Sequence, residues 1–198
     1  FDQLAKQVID RFGAIDLVFM SAGISQRSEV IETDMAIDRR IMEVNFFGNI
    51  ALAKAVLPQM RKQKSGSFCV ISSVTGKTGF FLRSAYAASK HALHGYFESL
   101  RLEEYDHNLK VHIICPGPVN TNIARNSLDA SGEAQGIQDP MQELGMPVEE
   151  CVDEIIRSIQ KEELERVISK GSEAMGMKLK ALFPKLYFNI VRKRDARG

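Results

Sequence analysis

A three-layer α/β/α fold around a doubly wound parallel sheet is predicted by three features of this 198-residue chain. Helical and strand patterns alternate along its length. The strand candidates are short, near-continuous apolar runs, as strands covered on both faces require. Each of the first three ends in a Ser-, Gly- or Pro-containing break with a helix further on, the signature of successive βαβ units. With 44% hydrophobic and 26% charged residues, the composition is that of a globular chain, read here as a single domain over 1–198.

Taken in order, residues 1–12 place Leu4, Val8, Ile9 and Phe12 at helical spacing, and Gly13 stops them. Residues 15–20 read as a strand buried on both faces, ending at Ser21-Ala22-Gly23. After a loop over 24–33, a long helix is expected from about Asp34, with Ile37, Ile41, Val44, Gly48, Ala51 and Ala55 on one face. Pro58 should bend or end it. Ser65-Gly66 marks a turn and 68–71 a second strand, closed by Ser72-Ser73. A loop with Gly76 and Gly79 leads into a helix running to about His107, with Leu93, Tyr96, Phe97 and Leu100 inward. Residues 111–115 form a third strand, broken by Pro116-Gly117-Pro118. Pro147 opens another helix (Cys151, Ile155, Ile156, Ile159), Val167-Ile168 is a short last strand, and a basic amphipathic tail follows.

The net charge of +1 gives no electrostatic reason to expect nucleic acid as a partner. There is no signal-peptide pattern and no apolar run of the ~18 residues a membrane span needs. The three cysteines are scattered; Cys69 and Cys115 read as small buried hydrophobes, and with no Cys-x-x-Cys or His/Cys cluster no metal site is expected. A reducing, cytoplasmic setting fits.

The chemistry centres on Tyr86 and Lys90. They lie four residues apart in a segment where Ala87, Ala88, Ala92 and Leu93 favour helix, so they stack on one face. A phenol with a pKa near ~10 is a poor acid or base at neutral pH. An ammonium one turn away is expected to lower it, and a serine hydroxyl can hold a substrate oxygen beside it. A Tyr-x-x-x-Lys pattern alone is equally a buried helix tyrosine with a surface lysine. In a parallel sheet, however, ligands bind beyond the carboxyl ends of the strands. Ser21-Ala22-Gly23, Ser72-Ser73 and Pro116-Gly117 all fall at such ends, and the Tyr86 helix follows one of them.

Together these residues resemble the short-chain dehydrogenase/reductase family in its compact, Rossmann-like form. The family's Asn-Ala-Gly element matches Ser21-Ala22-Gly23, with Ser21 replacing asparagine and Met20 standing where another asparagine is usual. Its helix-interrupting asparagine matches Asn45. Its active serine matches Ser73, thirteen positions before the tyrosine, and its tyrosine and lysine match Tyr86 and Lys90. Pro116-Gly117-Pro118-Val119-Asn120-Thr121 matches the Pro-Gly-x-Val-x-Thr element beside the nicotinamide. The resemblance implies an NAD(P)-dependent oxidoreductase, of carbonyl-reductase type, interconverting a carbonyl and an alcohol. Tyr86 would be the general acid or base and Ser73 would polarise the substrate oxygen. Lys90 would lower the Tyr86 pKa and hold the ribose hydroxyls, and Asn45 would hold a water linking Lys90 to solvent. Ser21, Ala22, Gly23, Tyr86, Lys90, Pro116, Gly117, Val119 and Thr121 would contact the cofactor. The plainer alternative is that Asn45 only satisfies a helix bend and that Gly23 and Gly117 are ordinary turn glycines, an alternative their position after buried strands disfavours for the glycines; Ser72 is read as structural.

The chain departs from the family at its start. The Thr-Gly-x-x-x-Gly-x-Gly turn that seats the pyrophosphate has no counterpart here. The residue selecting NAD or NADP is missing too, and NADP is the preferred expectation. On this reading the sequence holds the C-terminal, catalytic portion of the fold without its first three strands, and 15–20 has an unpaired edge. The alternative function is a non-catalytic dinucleotide-binding or regulatory module. Residues 122–146 match the family's substrate lid. Their apolar members (Ile123, Leu128, Ile137, Met141, Leu144, Met146) either suit a lipophilic substrate or pin the lid to the core. Ser25-Gln26-Arg27-Ser28 and Cys115-Pro116-Gly117-Pro118 look like the microsomal branch, which handles steroids, retinoids and other carbonyls. The tail over 182–194 suits a membrane surface, or packing on its own domain or a sister subunit. The family packs the helices at 34–60 and 84–107 into dimers, implying a homodimer or homotetramer.

Overall fold

Four parallel strands form one sheet in the computed structural model, which describes residues 1–171 and 173–194. They are β1 (Leu17–Met20), β2 (Gly66–Ile71), β3 (Leu109–Pro116) and β4 (Glu165–Ile168), paired in sequence order. The helices are α1 (Asp2–Phe12), α2 (Met35–Met42), α3 (Gly48–Gln63), α4 (Ser84–Glu103), α5 (Pro140–Glu143), α6 (Val148–Gln160), α7 (Glu173–Leu182) and α8 (Pro184–Val191). Gly13 ends α1 in the left-handed region (φ 79°), donating its N–H to Ile9 O, a conformation glycine adopts without steric cost.

Alternating side chains send the two sheet faces to different partners. Val18, Met20, Phe68, Val70, Val111 and Ile113 pack with residues of α1, α3 and α4 into the larger core. Cys69, Ile114 and Ile168 meet Cys151 and Ile155 of α6 on the other face. This is the three-layer arrangement the alternation predicts. β1 corrects one detail. It is not buried on both faces: Leu17 and Phe19, aligned with Ser67 and Cys69 on the α6 side, are 45% and 47% exposed. β1 is the sheet edge and pairs with β2 alone among the described residues, and α6 reaches over β3 and β4 instead.

The helix expected from Asp34 starts as expected, the Asp34 carboxylate accepting from Ala36 N at 2.7 Å. It is not one continuous α-helix. A π-helical turn, Glu43–Phe47, separates α2 from α3 and carries Asn45. Nor does Pro58 end it: α3 runs on to Gln63 and stops where Lys64 turns left-handed (φ 52°). One missing N–H is tolerated where Val56 and Met60 anchor the same helix in the core. The tail folds back on the loop after β2. Tyr187 of α8 is buried, its hydroxyl 2.6 Å from Thr78 Oγ1, and Lys180 of α7 donates to Lys77 O at 2.7 Å. Leu182, Phe183, Leu186 and Phe188 face outward. Among the described residues no helix is long and apolar enough to cross a membrane.

Candidate active site

Tyr86 sits in the first turn of α4, beyond the carboxyl end of β2, with its ring buried. Gln26 holds it there. The Gln26 side chain, fully buried, accepts from Ala85 N (2.9 Å) and Tyr86 N (3.2 Å) and donates to Ser84 Oγ (3.2 Å). These N–H groups at a helix start have no partner within the helix, so Gln26 acts as the cap that Arg83 does not supply. Nothing in the sequence pointed to this role, because the contact spans 59 residues.

Ser73 follows β2, and Thr75 donates to its hydroxyl oxygen through N (3.2 Å) and Oγ1 (2.9 Å). Burial raises the Tyr86 pKa. Opposing this, in order, are the Ser73 hydroxyl and the positive charges of Arg83 and Arg27. Lys90 lies one helical turn further on. Its Nζ lies 5.7 Å from the Tyr86 ring centroid but donates to Ile71 O at 2.8 Å, and burial pulls its pKa down to about 8.

Lys90 belongs to a tight knot with Asn45 and Gly23. Asn45, fully buried, accepts from Ile24 N (2.8 Å) and donates to Ile24 O (2.9 Å) and Ser89 Oγ (3.0 Å). Its own carbonyl accepts from Asn49 Nδ2 at 2.7 Å. A Cβ on Gly23 would come within 3.3 Å of Asn45 Oδ1 and 3.5 Å of Lys90 Nζ. Only glycine leaves that approach open, which fits a flat ring or sugar lying against the strand end. Ser21 and Ala22 are exposed beside it. Pro116 closes β3, Gly117 donates its N–H to Ile168 O (2.8 Å), and Val119 and Thr121 carbonyls accept from Gln142 and Gln138 of the lid segment. Ser72 is structural, bonded to Lys90 O and His94 Nε2.

A cavity of about 510 Å³ opens on Ser73, Tyr86, Gly117 and Pro118. Lid residues Ile123 and Met141 line it, whereas Leu128 and Met146 are buried against the body and Ile137 and Leu144 are exposed. α7 and α8 form the roof with Met177, Leu179, Tyr187 and Ile190. The same cavity holds Arg27, Arg83 and Asp139. Separately, the fold gathers His94, Cys115 and Glu165 with ligand atoms within 4.8 Å of one another, a His/Cys cluster the sequence spacing concealed. Lys77 already pairs with Glu165 at 2.6 Å, and Lys77 and His94 hold that carboxyl down at about 2.

A parallel sheet with a Ser–Tyr–Lys–Asn set beyond its strand ends defines a Rossmann-type nucleotide-binding architecture. The family model described as short chain dehydrogenase matches residues 1–132, and the chain belongs to that family. It is 35% identical over 190 residues to dehydrogenase/reductase SDR family member 7B of Bos taurus, covering 96% of this chain and 58% of that protein. It therefore spans a little over half of that relative's length. A short-chain dehydrogenase from Streptomyces avermitilis superposes with a TM-score of 0.74 at 26% identity, over 98% of this chain and 76% of that one. ElxO with NADP bound superposes with a TM-score of 0.58 at 28% identity, over 60% and 48%.

Proposed function

We propose that this chain is the catalytic portion of an NAD(P)-dependent oxidoreductase that interconverts a carbonyl and an alcohol on a lipophilic substrate. The observation that carries this is that Ser73 and the buried Tyr86 line one apolar-roofed cavity beyond the carboxyl end of β2. The nicotinamide dinucleotide supplies or takes up the hydride when bound. NADP is the preferred form, as in the solved relative that holds it. Gly23, Lys90, Pro116, Gly117, Val119 and Thr121 would hold its nicotinamide half, with Ser21 and Ala22 beside them; the tight approach of Asn45 and Lys90 to Gly23 and the exposure of Ser21 and Ala22 support this. The free β1 edge, with Leu17 and Phe19 bare, is where the strands carrying the other half would add.

Within the site, Ser73 Oγ positions the substrate oxygen beside the Tyr86 hydroxyl. Tyr86 gives its phenolic proton to that oxygen in reduction and takes it back in oxidation. Lys90 neighbours the phenol and can pass a proton along; Asn45 fixes the ledge by clamping Ile24. The expected result for the full-length protein is NADPH oxidation dependent on an apolar ketone, reduced on the order of 10³-fold in Tyr86→Phe. Tight cofactor binding without turnover across a broad carbonyl panel would instead mark a binding module.

A further inference from the structure

The charged corner of the cavity is its most unusual feature. Arg27, Asp139 and Arg83 have side chains only 10%, 18% and 12% exposed. Both arginines reach the same atom, Asp139 Oδ2, through Nη2, at 3.1 Å and 2.8 Å. The other oxygen, Oδ1, caps α5 by accepting from Met141 N at 2.9 Å. Asp139 therefore engages neither guanidinium through two parallel bonds, the arrangement that makes arginine–carboxylate pairs strong.

The second nitrogens hold the arginines in place. Arg27 Nη1 donates to Gln26 O (2.8 Å) and Ser25 Oγ (3.2 Å), and Arg83 Nη1 donates to Phe81 O (3.2 Å) with the guanidinium over the Phe80 ring. Two cations are thus desolvated around one shared oxygen, leaving an excess of one positive charge in the cluster. The remaining carboxylate of the lining, Glu173, accepts from Ser169 Oγ. Burial of unpaired charge is costly and is retained where a ligand completes it. Both arginines also act on Tyr86 electrostatically, which places the cluster beside the reacting atoms.

We infer that the substrate carries a carboxylate, received by Arg27 and Arg83 at the corner where Asp139 now supplies one oxygen. The substrate class is then an apolar keto or hydroxy acid, with its chain under Met177, Leu179 and Ile190 and its charged end at the arginines. This rests on the reading of the cavity as an oxidoreductase substrate site, and the test separates the two.

Full-length Tyr86→Phe protein is titrated calorimetrically with decanoate, methyl decanoate and decyl phosphate, alone and with Arg83→Met or Arg27→Met added. Decanoate is expected to bind about tenfold or more tightly than its methyl ester, and either arginine substitution should erase that difference. In the catalytically intact protein, the kcat/KM ratio for a keto acid over its methyl ester should fall toward unity in Arg83→Met, through KM. Equal binding of decanoate and methyl decanoate overturns the inference even if ketones are turned over. Preference for decyl phosphate with no decanoate binding also overturns it, assigning the corner to a phosphate. Arginine-dependent decanoate binding without turnover of any ketone upholds the inference and removes the catalytic reading instead.

Discussion

Tyr86 has two unlike flanks. On one side Lys90, Asn45 and Gly23 form a compact, hydrogen-bonded knot carried by neighbouring turns of helix and a strand end. On the other, Arg27, Arg83 and Asp139 gather charge from three loop or helix-start positions separated by up to 112 residues. The knot is nearly uniform in what it offers: backbone, amide and one buried ammonium. The corner is polarised and incompletely paired. The difference teaches that burial is met in two ways around one phenol: amide and backbone groups satisfy one another in the knot, whereas charge is shared around a single oxygen at the corner.

The comparison breaks most sharply at Lys90. In the full-length protein Lys90→Met should lower kcat/KM on the order of 10³-fold, measured by ketone-dependent NADPH oxidation. An unchanged rate would mean the knot is only scaffolding. A second test uses stability. Burial lowers the Lys90 pKa from 10.5 to about 8. Between those values the unfolded chain binds a proton that the folded one does not, so stability rises with pH across that window. The slope is up to about 1.4 kcal/mol per pH unit. The urea-melt difference between the wild type and Lys90→Met should therefore grow in favour of the wild type from pH 8 to pH 10.5; a flat difference would place the ammonium in solvent.

Gln26 joins the flanks, since its neighbour Arg27 is in the corner while its amide caps the helix bearing Tyr86 and Lys90. Gln26→Ala strands two buried N–H groups and should cost about 1–3 kcal/mol in chemical denaturation. A loss within ±0.5 kcal/mol, the range of ordinary surface changes, would show that another group takes over the cap. The smallest expected effect is at Arg83. Removing this cation should raise the pKa that governs alcohol oxidation, read from a pH–rate profile of Arg83→Met. No movement would confine Arg83 to substrate binding.

The helix–strand alternation, the glycine stop at Gly13 and the strand-end positions of Ser73 and Gly117 were legible in the sequence, because each depends on residues close together in the chain. The spacing of Tyr86 and Lys90 was legible for the same reason, one helical turn being a local distance. Three things escaped. The exposure of Leu17 and Phe19 was hidden because an apolar strand reads the same whether or not anything covers its face. The π-turn at Glu43–Phe47 preserved enough of the apolar stripe to pass as uninterrupted helix. The bond from Lys90 to Ile71 O escaped because helical spacing sets direction, not solvation: Lys90 is one turn from Tyr86, yet buried.

By itself the sequence determined the layered parallel fold, since periodicity encodes it, and it singled out Ser73, Tyr86, Lys90 and Asn45 through their match to the motifs of the short-chain dehydrogenase/reductase family. Only the tertiary structure decided that Gln26 caps the Tyr86 helix and that two arginines share one oxygen of Asp139. Those contacts join segments tens of residues apart, and they exist only once the loops beyond the strands have been brought to the same end of the sheet.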